Sequence, residues 1–217
     1  MSLTHAEAAA IEAHIARIEK TFGVQIVTAV IGKADAYTEL PWKAFALGAT
    51  LAALAVVIAD RVHPDWLTAN VALTDALVIL GTGAASALFA VLVPPYARLF
   101  LTASRRDLEV RHYAQSLFLR RELFRTHARN AILILVSRFE RKVEILPDVG
   151  LHGKIGEPAW RKVIARMTPS LARSEFAHAL QEGLAALEGV LEAKPVARQG
   201  DADNELPDRP IDLRGAG

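Results

Sequence analysis

Apolar residues fall first at helical spacing, then in an unbroken β-branched run, then in two long uncharged stretches, before both shorter patterns return. Ala8, Ile11, Ile15 and Ile18 recur at helical spacing and predict a helix over 4–22. Thr4 with Glu7 forms a capping-box pattern at its start, and Gly23 stops it. The run 24–31 (VQIVTAVI) predicts a strand covered on both faces. Gly32 lets the chain turn away, and 34–40 is a short connector or helix closed by Pro41.

The runs 44–59 and 76–93 carry no charge and are separated by a polar stretch, 60–70, that contains Pro64. A bilayer core about 30 Å thick needs roughly 20 helical residues, and a helix satisfies its own backbone in lipid. Flanking residues extend the runs to spans of about 42–60 and 72–93, a transmembrane helical hairpin within 42–101. A buried soluble hairpin is the competing reading. Trp42, Trp66 and Tyr96 sit where an interfacial aromatic belt would sit. Gly48, Ala49, Ala52 and Ala53, with Gly81, Gly83, Ala84 and Ala85, allow close helix approach. Asp75 reads as an interfacial carboxylate. Lys33, Lys43, Arg98, Arg105, Arg106 and Arg111 flank the hairpin, whereas its loop balances Arg61 against Asp60 and Asp65. The positive-inside bias puts both termini in the cytoplasm of a two-span inner or plasma membrane protein.

After the hairpin, 104–127 predicts an amphipathic helix rich in arginine, whose basic face suits either water or anionic headgroups. The segments 131–136 and 143–146 predict strands joined by a turn at 139–142, and 147–150 leads out of the sheet. Helices are expected over 158–167 and 174–191, the second capped by Ser174. Residues 193–217 read as a disordered tail. The element order predicts an α/β (α+β) sandwich: a small, mostly parallel sheet flanked by helices, built from 4–32 and 103–192, with the hairpin inserted.

Charge and composition narrow the function classes. The 217 residues carry a formal net charge of +1, which gives no bulk attraction to nucleic acid. Cysteine is absent, which excludes disulfides, thiol catalysis and zinc–thiolate sites. The first turns are amphipathic rather than a signal-peptide core, so the hairpin is the expected first membrane-inserted element.

Hard cations such as calcium or magnesium need several oxygen ligands. The candidates are Asp148 after the second hairpin strand, Asp35 after the first strand, Asp107 at a helix start, and Glu144. Asp148 and Asp35 lie at strand ends and form the better pair. The bland alternatives are a turn residue at 148 and a loop or helix-start residue at 35. Glu140 and Arg141 read as a surface turn pair. The histidines are scattered, and no phosphate loop, nucleophile elbow or dinucleotide fingerprint occurs.

The string NAILILVSRFERKVEILPDVGL (130–151), then WRKVIARM (160–167), the closing helix with Gly183, and the opening helix ending in FGVQIVTAVI together resemble the TPM domain family. That family is named for thylakoid, photosystem II repair and neuromodulator members. The resemblance covers about 4–32 and 103–192, and implies a compact α/β sandwich, usually tethered to a membrane. It also implies calcium binding, weak acid-phosphatase activity in some members, and roles in membrane-protein repair or assembly. The chain departs from the family's metal-binding string. Where metal-binding members carry an acidic residue and glycine, it reads Arg129-Asn130-Ala131, and a guanidinium repels a cation. The expected function is therefore a non-enzymatic interaction or assembly module, with the lipid bilayer and membrane proteins as partners. A divalent-metal-dependent acid phosphatase is the alternative.

Overall fold

The computed structural model describes residues 3–63, 71–194 and 205–215. Pro64 and Trp66 of the polar loop, and 195–204 of the expected tail, lie outside the described residues. The chain divides into two compact units, Met1–Asp35 with Arg106–Gly217, and Ala36–Arg105.

The first unit is a sheet sandwiched by helices. Helix α1, His5–Phe22, opens with the Thr4–Glu7 capping box and ends at Gly23, whose φ of 67° is the left-handed conformation glycine permits. It leads into β1, Gln25–Ile31, buried along its whole length. After the second unit come α5, Ala103–Arg120, then β2, Ala131–Ser137, and β3, Lys142–Pro147. The short α6, Val149–His152, precedes α7, Glu157–Ala172, and α8, Phe176–Ala193. The last strand is β4, Ile211–Leu213.

The strand order is β3-β2-β1-β4. Strand β1 pairs in parallel with both β2 and β4, and β3 returns antiparallel to β2. The period of two along each strand splits the core into two layers. Ile26 and Val30 of β1, with Ile132, Ile134 and Val136 of β2, face α1, α7 and α8. Val27, Ala29 and Ile31, with Leu133 and Leu135, face α5. The structure is thus the expected mixed α/β sandwich with a mostly parallel sheet.

Several local expectations are corrected. Part of the tail, 205–215, is ordered and supplies β4. Helix α5 ends at Arg120; Glu122, at φ 52°, breaks it, and the apolar residues beyond form a 3-10 turn, Leu123–Arg125. Helix α7 runs through Pro169, held by packing of Leu171 and Met167 into the core. Ser174 does not cap α8: it sits at φ 64° in the link, and Glu175 precedes the helix without a side-chain cap. Gly32 is needed less for turning than for close approach, because a Cβ there would lie 2.5 Å from the Arg214 carbonyl oxygen.

The second unit holds α2, Glu39–Val62, and α3, Val71–Leu92, followed by the single turn α4, Pro94–Ala97. Both α2 and α3 are long and apolar enough to cross a membrane, and only 17% and 11% of their apolar windows are buried, unlike the core helices of a soluble protein. Leu51, Leu54, Leu77, Leu80 and Leu88 all point outward. The small residues sit where the helices touch: a Cβ on Gly48 would meet the Ser86 Cβ at 2.7 Å, and one on Gly83 the Phe45 ring at 2.8 Å. A Cβ on Gly81 would meet nothing within 4 Å. The Ser86 hydroxyl is 2.7 Å from the Ala44 carbonyl and 2.8 Å from the Tyr96 hydroxyl, tying α2 to the chain after α3.

Candidate functional site

The residues expected to hold a metal do not converge. Because β1 and β2 run in parallel and β3 returns, Lys142 and Ser137 mark one end of the sheet, and Pro147, Ala131 and Gln25 the other. Asp35 follows the first end and Asp148 the second, so a seven-residue strand, about 20 Å, separates them. Asp107 sits beside Lys142, whose Nζ is 2.6 Å from its Oδ1, with Arg106 at 3.5 Å. Burial acts to raise the Asp107 pKa, but these two cations outweigh it and hold the carboxyl below its usual range. Burial raises the Glu144 pKa, with Lys142 and Arg111 opposing and Asp107 adding to the rise. Among the described residues, no three Asp, Glu or His side chains cluster in a way that could hold a metal ion.

Glu140, expected in a surface pair, is 1% exposed. It accepts the Ala34 N–H at 2.9 Å and the Ser137 hydroxyl, and so ties the β2–β3 turn to the chain leaving β1.

Asp148 lies at the best-formed site. Its N–H donates to the Ala131 carbonyl at 2.8 Å, which fixes it at the end of the β2–β3 ladder. Oδ1 accepts the Val149 N–H at 2.7 Å, capping α6. Arg129 supplies the rest: Nε is 2.7 Å from Oδ2 and Nη2 is 2.9 Å from Oδ1, a bidentate pair. Arg129 reaches this position through a φ of 49°. Gly150 holds the loop in place, donating to the Arg129 carbonyl at 2.9 Å, where a Cβ would lie 2.5 Å from that oxygen.

The pair stands at one side of an open pocket of ≈ 450 Å³, walled by Phe118 and Leu119 of α5, Phe124, Leu146, Pro147 and Val149. Arg129 also lies over the Phe124 ring, 5.9 Å from its centre. Among the lining residues Asp148 is the one carboxylate and Arg129 the one cation. Both carboxylate oxygens are engaged, and no second acid or base faces them from these walls. The pocket suits an apolar group with a polar end better than a reacting phosphate, which requires a poised acid–base pair or metal.

One further residue stands out in three dimensions. Glu19 is 5% exposed and accepts the Ile26 N–H at 2.5 Å. Burial raises its pKa to about 8, the Ile26 N–H opposes the rise, and Asp208 adds to it. The sequence signal was present: Glu19 is one helical turn beyond Ile15, on the apolar stripe.

The TPM domain model matches residues 84–190. The match starts inside α3 and takes in α5, β2, β3 and α7; α1, β1 and β4 lie outside it, although β1 and β4 belong to the same sheet. No curated protein matches. Among solved structures, the BA42 protein from the psychrophilic bacterium Bizionia argentinensis is similar in fold, with a TM-score of 0.57 at 14% identity over 98% of this chain and 96% of that one. Residues 84–190 thus carry a TPM domain.

Proposed function

We propose that the chain is a two-span inner or plasma membrane protein whose TPM domain acts as a non-enzymatic module that binds or assembles membrane proteins. One observation carries this reading: the guanidinium of Arg129 occupies both oxygens of Asp148, so the carboxylate at the end of β3 already holds its cation. A metal-dependent phosphatase needs that carboxylate free and further carboxylates beside it. The outward-facing leucines of α2 and α3 support membrane insertion, and the arginines and lysines flanking the hairpin support cytoplasmic termini.

The test is thermal unfolding of the detergent-purified chain in rising calcium and magnesium, run beside hydrolysis of para-nitrophenyl phosphate. A ligand that binds only the folded state raises the midpoint with concentration. The proposal expects no shift up to millimolar metal and no hydrolysis above buffer. A saturable shift, or hydrolysis, that Asp148→Ala abolishes overturns it in favour of the phosphatase.

A further inference from the structure

We propose that Trp42, Lys43 and Leu99 form a site for an anionic phospholipid at one end of the hairpin, with Lys43 on the lipid phosphate and the two apolar side chains against its acyl chains. The inference rests on the membrane reading above and adds which lipid the chain selects.

The site comes from the way the chain leaves α3. Ser86 lies six residues, about 9 Å, before the end of α3. The Tyr96 hydroxyl, from a residue ten positions later, is nevertheless 2.8 Å from the Ser86 hydroxyl. The chain therefore reverses after Leu92. Pro94 enforces the break: Val93 before it is extended, at φ −118° and ψ 92°. The returning segment packs by its inner side. Ala97 is buried, and the Tyr96 ring centre stands 5.0 Å from that of Phe89 and 5.3 Å from that of Phe100. Because Ser86 also donates to the Ala44 carbonyl, this segment lies level with the start of α2, beside Trp42 and Lys43.

Its outer side is apolar around one charge. Leu99 is 77% exposed and Trp42 73%, the highest values among the large apolar side chains of the described residues. Lys43 stands with them: its Nζ is 3.4 Å from the carbonyl of Phe100, the residue after Leu99. That carbonyl is neutral, and among the described residues no carboxylate pairs with Lys43. Glu39, one helical turn before it, meets Arg105 instead, at 3.7 Å. The remaining acids of the two helices, Asp60 and Asp75, belong to the opposite end of the hairpin.

The ammonium thus keeps its charge where the apolar outer surface of α2 and α3 ends. A free phosphate would satisfy it but leave Trp42 and Leu99 in water. A zwitterionic lipid would cover them but brings its own cation. An anionic lipid does both.

Native mass spectrometry of the full detergent-purified chain, given equal phosphatidylglycerol and phosphatidylcholine of matched acyl chains, reads the preference as a ratio of lipid adducts. A cation at an anionic headgroup strengthens binding by about fivefold, so phosphatidylglycerol is expected to lead by about that factor. Lys43→Gln is expected to lower the ratio about fivefold and Lys43→Arg to keep it. Arg61→Gln, at the far end of α2, is expected to leave it unchanged. Equal adducts in the wild type, a preference retained in Lys43→Gln, or the same loss in Arg61→Gln overturns the proposal and leaves the membrane reading standing. Absence of both adducts, in a chain that stays monodisperse without detergent, overturns the membrane reading and the proposal with it.

Discussion

The Arg129–Asp148 pair supports a double-mutant cycle whose outcome follows from unequal burial. The Asp148 side chain is 3% exposed and the Arg129 side chain 45%. Arg129→Ala strands a buried carboxylate on the single Val149 N–H. Breaking a fully buried pair costs about 3–5 kcal/mol, but water reaches the side the guanidinium leaves, so about 2 kcal/mol is expected. The left-handed φ at 129 adds nothing, because alanine and arginine meet the same backbone cost there. Asp148→Ala loses the α6 cap, about 1 kcal/mol, and the pair, while Arg129 rehydrates easily. The double variant should therefore lie close to Asp148→Ala, with a coupling energy near the whole cost of Arg129→Ala, about 2 kcal/mol. Urea unfolding of the detergent-purified chain measures it, with the buried Trp160 as core reporter. Additivity of the two single variants within about 0.5 kcal/mol would refute the claim that Arg129 occupies the carboxylate as one locked unit.

Two other outcomes follow from the geometry. A carboxyl whose pKa rises from 4.5 to about 8 on folding binds a proton that the unfolded chain releases. Its favourable contribution is whole below the unfolded value and is lost as pH climbs to the folded one, so the unfolding free energy should fall over that window by at most about 1.4 kcal/mol per pH unit; Glu19→Gln should lessen the slope, and an unchanged slope rejects the assignment. Because the chain has no cysteine, Arg61→Cys and Ala172→Cys can be labelled singly. An impermeant maleimide should label the first in intact cells and the second only after permeabilisation, and the reverse pattern overturns the proposed orientation.

The elements that rest on local rules were legible in the chain. Thr4 and Glu7 satisfy each other's orphan backbone groups, and the uncharged runs and the β-branched strands follow directly from their periods. What tertiary partners impose was not. Ile211–Leu213 is strand only because β1 offers an edge, and neighbouring Pro207, Asp208 and Pro210 mask it. Pro169 stays helical because the core holds both sides of it, and Ser174 takes a left-handed turn that outweighs its capping chemistry. At the site, Asp148 was visible as a strand-end acid, but its partner was read as repelling a metal rather than as occupying the carboxylate. The pairing of Asp148 with Asp35 failed because their strands end at opposite ends of the sheet.

The sheet's sequence order has a consequence for biosynthesis. Strand β1 leaves the ribosome long before β2, its parallel neighbour, with about a hundred residues between them, a loop whose closure costs entropy. The insert shortens that loop: α2 and α3 form a hairpin, and Arg105 at its exit lies 3.7 Å from Glu39 at its entrance. Once the hairpin has formed, the chain entering and leaving it is tied together, and β1 meets β2 as if joined by a short connection. Until then its seven residues, five of them apolar, are an unpaired strand exposed to other chains. Strand β4, translated after the other three, then pairs with the other side of β1, so hairpin formation precedes completion of the sheet.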